Sequence, residues 1–182
     1  MSRLSIPTKE TAPAASQPLL DAVQNSLGSV PNLFRLMSVS PATLEGFLGL
    51  HGALGKTLDL KTRQRIAIAV AEVNGCDYCL SAHTYIGLNL AKMDADELEL
   101  NRRGRSNDPQ ADEAVRFAAK VAQTRGNVDA ADLAALRGAG HTDTQIIDIV
   151  ANVAVNVLTN FLNNVADTEI DFPVLRTGRN TA

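Results

Sequence analysis

Both cysteines of the chain stand together as Cys76-Asp77-Tyr78-Cys79, and His83 follows the second at a spacing of four. A C-x-x-C dithiol can close to a disulfide or hold a metal, and its reactive form is the thiolate. If a helix begins near Cys76, its free N–H groups favour an anionic sulfur in the first turn, where Cys79 would lie. His83, at i+4, shares a helical face with Cys79 and is placed to take the thiol proton. Cys76 is near enough to resolve an oxidised Cys79 as a disulfide. Glu72 adds a carboxylate four residues before Cys76. The stretch Gln64–His83 therefore holds a nucleophile, a resolving thiol and titratable bases, the ingredients of thiol redox chemistry.

Three other readings compete. Zinc could use Cys76, Cys79 and His83 but needs a fourth ligand, and the remaining histidines, His51 and His141, have no finger-like spacing. Covalent haem requires C-x-x-C-H, and Leu80 follows the second cysteine. Inert, buried cysteines are the third.

The elements that position this stretch read as helices. Aromatics make up 4% of the 182 residues and Trp is absent, so Ala, Leu, Val and Ile must fill the core, which favours packed helices. Ser40-Pro41 caps a helix to about Leu54, with Leu44, Phe47, Leu48 and His51 near one face. Asp59 opens a second, Leu60 to Val73, apolar on more than one side and so expected to be deeply buried. Asn74-Gly75 breaks it, and a further helix runs from near Cys76 to about Leu90. Before these, a helix after Pro18 ends at Gly28, and Val30-Pro31-Asn32-Leu33-Phe34 reads as a turn. After them, Asp94, Asp108-Pro109 and Asp129 each start a helix. Thr142-Asp143-Thr144-Gln145 is a capping box that launches the longest, to about Ala166. No strand-like alternation appears. The expectation is an all-α, single-domain bundle of about seven or eight helices over residues 17–175, with an N-terminal arm at 1–16 and a C-terminal tail at 176–182. The arm could be disordered or could wrap a neighbouring subunit.

The totals narrow the function. A net charge of −3 gives no global basic field to attract nucleic acid. The N-terminus has no apolar core of a secretory signal, and no apolar run approaches the ~18 residues of a membrane span. A cytoplasmic protein without membrane partners is expected, where a structural disulfide would be out of place.

Asn74-Gly75-Cys76-Asp77-Tyr78-Cys79 with His83, on a helix that follows a buried one, resembles the carboxymuconolactone decarboxylase / alkylhydroperoxidase D superfamily, in particular its peroxidase-related branch. Val30–Phe34 followed by Ser40-Pro41 is similar to that family's upstream segment. Asn152–Pro173 is similar to its closing helix and tail, so the resemblance spans about residues 28–175. It implies an all-helical fold, homo-oligomers (dimers, trimers or hexamers) and thiol-dependent reduction of a hydroperoxide, with no cofactor or metal. Cys79 would attack the peroxide, Cys76 would resolve it, His83 would relay protons, and an external dithiol would reduce the disulfide. Two positions depart from the pattern. Gln64 stands where alkylhydroperoxidase D carries its relay glutamate, and Tyr78 stands where it has a histidine. Glu72 is the candidate replacement carboxylate, although it lies about 80° around the helix from Gln64.

Asn152, Asn156, Asn160 and Asn164 recur every four residues on the last long helix, with Asn163 beside them. Buried amides need partners, so the stripe reads either as a polar seam at a helix contact or as pocket lining by Asn152 or Asn156. His51 and His141 read as satisfied or exposed histidines, and Asn101–Arg105 as a solvated basic loop that could meet an acidic partner. The dithiol argues against a muconolactone-type lyase. A non-enzymatic helical oligomer that senses redox state or binds metal is the remaining alternative.

Overall fold

The computed structural model describes residues 2–178, which contain nine α-helices and no strand. These are α1 (Gln17–Leu27), α2 (Asn32–Met37), α3 (Pro41–Leu54), α4 (Leu60–Asn74), α5 (Asp77–Asn89), α6 (Ala95–Arg102), α7 (Pro109–Thr124), α8 (Ala130–Gly138) and α9 (Asp143–Ala166). The all-α expectation holds, with one helix more than expected. The addition is α2, in the stretch read as a turn. Its N-cap is Pro31, which makes no side-chain cap bond, so the usual polar start signal is missing.

The expected caps form. Ser40, Asp59, Asp94, Asp108 and Asp129 each accept from a backbone N–H of the first turn of their helix. Thr142 and Gln145 make the reciprocal box that starts α9. Each satisfies donors that no intrahelical carbonyl can reach.

Helix α4 is the hub. It packs against α5, α6, α7 and α9, which explains a sequence apolar all round. Ile66, Ile68 and Val70 are fully buried, each worth about 1.5–3 kcal/mol relative to exposure. Arg65 on α4 is also buried, its Nε 2.6 Å from Glu97 Oε1 of α6. Glu97 accepts further bonds from Asn101, Ser106 and the Asn107 N–H. A buried carboxylate needs such a full set of donors, and here it ties α4 to α6 and the following loop. The basic run there is already neutralised: Arg102 and Arg103 pair with Glu99, and Arg105 with Asp112.

Helix α9 has the length and apolar composition to cross a membrane, contrary to the reading from apolar runs alone. Its asparagines interrupt every strictly apolar run. It packs on α3, α4, α5, α7 and α8, and Asn152, Asn156, Asn160 and Asn163 are buried in the bundle.

The N-terminal arm lies on its own chain. The Arg3 N–H donates to Ala166 O, Arg35 Nε to Pro7 O, and the buried Ser16 hydroxyl to Ser38 O. Of the expected tail, residues 179–182 lie outside the described residues. Thr177 is fully buried.

Candidate active site

Gly75 makes the dithiol possible. Its φ of 64° is left-handed, a conformation open to glycine and strained for most other residues. The chain reverses there, and the Cys76 N–H closes back on Ala71 O at 2.9 Å. One residue later Cys76 is already the N-cap of α5, its Sγ accepting from the Cys79 N–H at 3.3 Å. A cysteine sulfur thus fills the role usually taken by a Ser or Asp oxygen, and Cys79 occupies the first turn.

The two thiols are electrostatically unlike. Burial pushes Cys79 up, but its polar contacts with Cys76, Asn163, Asn160 and Thr159 outweigh it and hold the thiol below its ordinary value. The contact from Asn163 Nδ2 to Cys79 Sγ is 3.2 Å. Asn160 is fully buried, and its Oδ1 accepts from Asn74 Nδ2 at 2.9 Å. Cys76 is raised, first by its hydrogen bond to Cys79 and then by burial. Of the two, Cys79 is the sulfur that gives up its proton more readily and Cys76 the one that keeps it.

Cys79 lines a cavity of about 230 Å³ whose walls include Leu33, Phe34, Phe47, Ala67, Ile86, Val155 and Phe172. His83 and Gln64 line it side by side, with His83 Nδ1 2.8 Å from Gln64 Oε1. An amide oxygen facing Nδ1 puts the ring proton there and leaves Nε2 as the acceptor. Burial, assisted by the charge of His51, lowers His83 to about 4, so the ring is neutral at pH 7. No hydrogen bond joins it to either sulfur.

Tyr78 fills the position of the family's histidine with a structural role. Its hydroxyl donates to Asp171 Oδ1 at 2.8 Å and accepts from the Leu33 N–H at 3.1 Å. The ring packs edge-on against Phe172. Burial raises this phenol further, so it stays protonated. Asn152 and Asn156 line the cavity. Their Nδ2 groups donate to the α9 carbonyls of Asp148 and Asn152, which leaves their carboxamide oxygens without a protein donor.

Glu72 is elsewhere. It does not line the cavity. Its carboxylate accepts from Arg102 Nε at 2.9 Å and from the Gly178 N–H at 2.5 Å. The break at Gly75 turns α5 away rather than toward it, and α6 and the C-terminal segment take its charge. The expected replacement relay is therefore an anchor. Asp77 does the same work beside it, accepting from Arg176 and from the Thr177 N–H and hydroxyl. Together they hold residues 176–178 near the start of α5.

Sequence reasoning missed His51 and Arg63, both in the cavity wall. His51 stacks on Phe47 at 5.4 Å and is lowered by burial and by Arg63. The i+4 spacing from Phe47 was visible, but the convergence of α3 and α4 side chains on one cavity was not. Thr159, which meets Cys79 Sγ at 4.0 Å, was likewise hidden among the apolar residues of α9. Among the described residues no three His, Cys, Asp or Glu side chains converge to hold a metal. A second, more open cleft of about 650 Å³ is lined by Arg3, Asn74, Asp77, Asn163 and Asp167. Neither cysteine lines it.

Residues 41–124 match the profile of the carboxymuconolactone decarboxylase family. The fold is similar to the alkylhydroperoxidase AhpD core of an uncharacterised peroxidase-related protein from Ralstonia eutropha, with a TM-score of 0.83 and 28% identity over 93% of this chain and 92% of that one. A peroxidase-related protein from Silicibacter superposes with a TM-score of 0.79 at 25% identity, covering 92% and 91% of the two chains. An uncharacterised protein of Haemophilus influenzae is 47% identical over 45 residues, which is 24% of this chain and 40% of that protein. The debrominase Bmp8 shares the fold at 20% identity and a TM-score of 0.74. The family match and these similar structures together support the carboxymuconolactone decarboxylase / alkylhydroperoxidase D-like superfamily.

Proposed function

We propose that the protein is a thiol-dependent reductase of hydroperoxides. The observation that supports this most is the asymmetry of the dithiol: Cys79, which lines the cavity, gives up its proton more readily, and Cys76 beside it keeps its own. The Cys79 thiolate attacks the terminal oxygen of the hydroperoxide and breaks the O–O bond. It becomes a sulfenic acid, and the alkoxide leaves as an alcohol after taking a proton. His83 Nε2 is the acceptor and donor for that proton, with Gln64 fixing the tautomer. Cys76 then displaces water from the sulfenic acid to give the disulfide. An external dithiol reduces it by exchange and leaves as its own disulfide.

Limiting organic hydroperoxide added to the reduced protein tests this. Mass spectrometry should find one Cys76–Cys79 disulfide per peroxide. Cys79→Ser should abolish consumption, and Cys76→Ser should stop after a single turnover at the sulfenic acid. Full activity in both variants would refute the reading.

A homo-oligomer belongs to the same proposal. Ile147, Val150, Leu158, Phe161 and Val165 form an exposed stripe on α9, the kind of surface a subunit contact covers. Light scattering on the purified protein gives the number of copies. A decarboxylase-type lyase would instead show lactone turnover unaffected by thiol alkylation.

A further inference from the structure

Among the described residues, the cavity at Cys79 has one cationic side chain, Arg63, and no carboxylate lines it. The Arg63 Nε donates to Leu58 O at 3.1 Å, which fixes the plane of the guanidinium. Its two Nη groups donate to no acceptor among the described residues, and Arg63 enters no ion pair there. A guanidinium tethered at Nε presents its remaining N–H groups as a fork, and the fork matches the two oxygens of a carboxylate. The walls of the same cavity include the apolar Phe34, Phe47 and Leu54. An apolar pocket with one oriented cation is built for a molecule that is apolar along its body and singly charged at one end. A phosphate, with nearly twice the charge, calls for more than one guanidinium, and the described residues bring no second cation to the cavity.

The volume sets the size. About 230 Å³ lies below the ~300–1,000 Å³ of drug-sized sites and equals the liquid volume of about eight waters. A single ring or a short chain fits, whereas a long acyl chain does not.

We propose that the cavity takes a small apolar carboxylic acid, its carboxylate on Arg63 and its reactive end at Cys79. The identity of that reactive end as a hydroperoxide rests on the function proposed above; the carboxylate contact does not. The two therefore fail separately.

Binding of an unreactive pair tests the contact without any peroxide. 3-Phenylpropionate and 3-phenylpropionamide have the same apolar body and differ only in charge at the end. Titrated by NMR into the reduced, full-length protein, the acid should bind about tenfold more tightly than the amide, the scale of one charge-assisted pair. In Arg63→Gln the preference should fall to about one while the amide binds as before, so the amide reports that the cavity is intact. Equal binding of acid and amide overturns the assignment. So does a preference that survives in Arg63→Gln, binding of neither compound, or loss of the amide together with the acid. Peroxide consumption, measured separately, leaves each of these outcomes unaffected.

Discussion

The carboxamide oxygen of Gln64 sits 2.8 Å from Nδ1 of His83, at the position where the family's relay glutamate would stand. An amide can orient the ring but cannot take its proton, so His83 works here with a fixed tautomer and a low basicity. Gln64→Glu places a charge against Nδ1 and should raise His83 from about 4 by roughly one to three units. An NMR titration of the ring reads this directly, and an unmoved midpoint would contradict the contact.

His83 also links stability to acidity. Its pKa is depressed on folding, so the unfolded chain, near its ordinary 6.5, binds the proton more readily than the folded one. Stability is complete above about pH 6.5 and falls as the pH drops toward 4, by up to about 3 kcal/mol from this group. His51 acts in the same direction. Urea melts at pH 7 and pH 4.5 should show a smaller decline in His83→Gln than in the wild type. An equal decline would assign the acid sensitivity to other groups.

Asn163→Leu removes the donor 3.2 Å from Cys79 Sγ. A hydrogen bond to a charged group is worth about 1.5–3 kcal/mol, so the Cys79 thiol should rise when it is lost. Alkylation by iodoacetamide at pH 7 should slow about tenfold or more. Asn163 Oδ1 is buried without a partner, so the fold should not lose stability with it. An unchanged pH profile of alkylation would remove Asn163 from the thiolate's support.

Glu72→Ala should leave peroxide reduction within about twofold, because the carboxylate is engaged by Arg102 and Gly178. The loss should be about 1 kcal/mol of stability, in the range of a partly exposed ion pair, with faster amide exchange at residues 176–178. A large fall in kcat at unchanged stability would return Glu72 to the proton path.

Most of the helical frame was legible because caps are local: Asp59 with Thr62, or Thr142 with Gln145, can be read from a few letters. Helix α2 was not, since its start is a proline without a side-chain bond. The dithiol and His83 were legible from spacing on one helix. The asparagine stripe was legible as something other than plain core, though which amide faces sulfur and which faces the cavity depends on how α9 lies against α5. Glu72 was misplaced for the same reason: its angle on α4 is a sequence property, but Arg102, thirty residues on, decides where its charge goes. His51 and Arg63 met in one wall only when the fold brought side chains of α3 and α4 to the same cavity.

The burial of Cys76 has a kinetic consequence. Cys76 has no exposed surface, and only Cys79 reaches a cavity. On the peroxidase reading, the reductant must strike Cys79 through the chamber the product has just left. The two half-reactions then cannot overlap. Parallel lines in double-reciprocal plots are expected, with excess dithiol competing against peroxide for a single doorway.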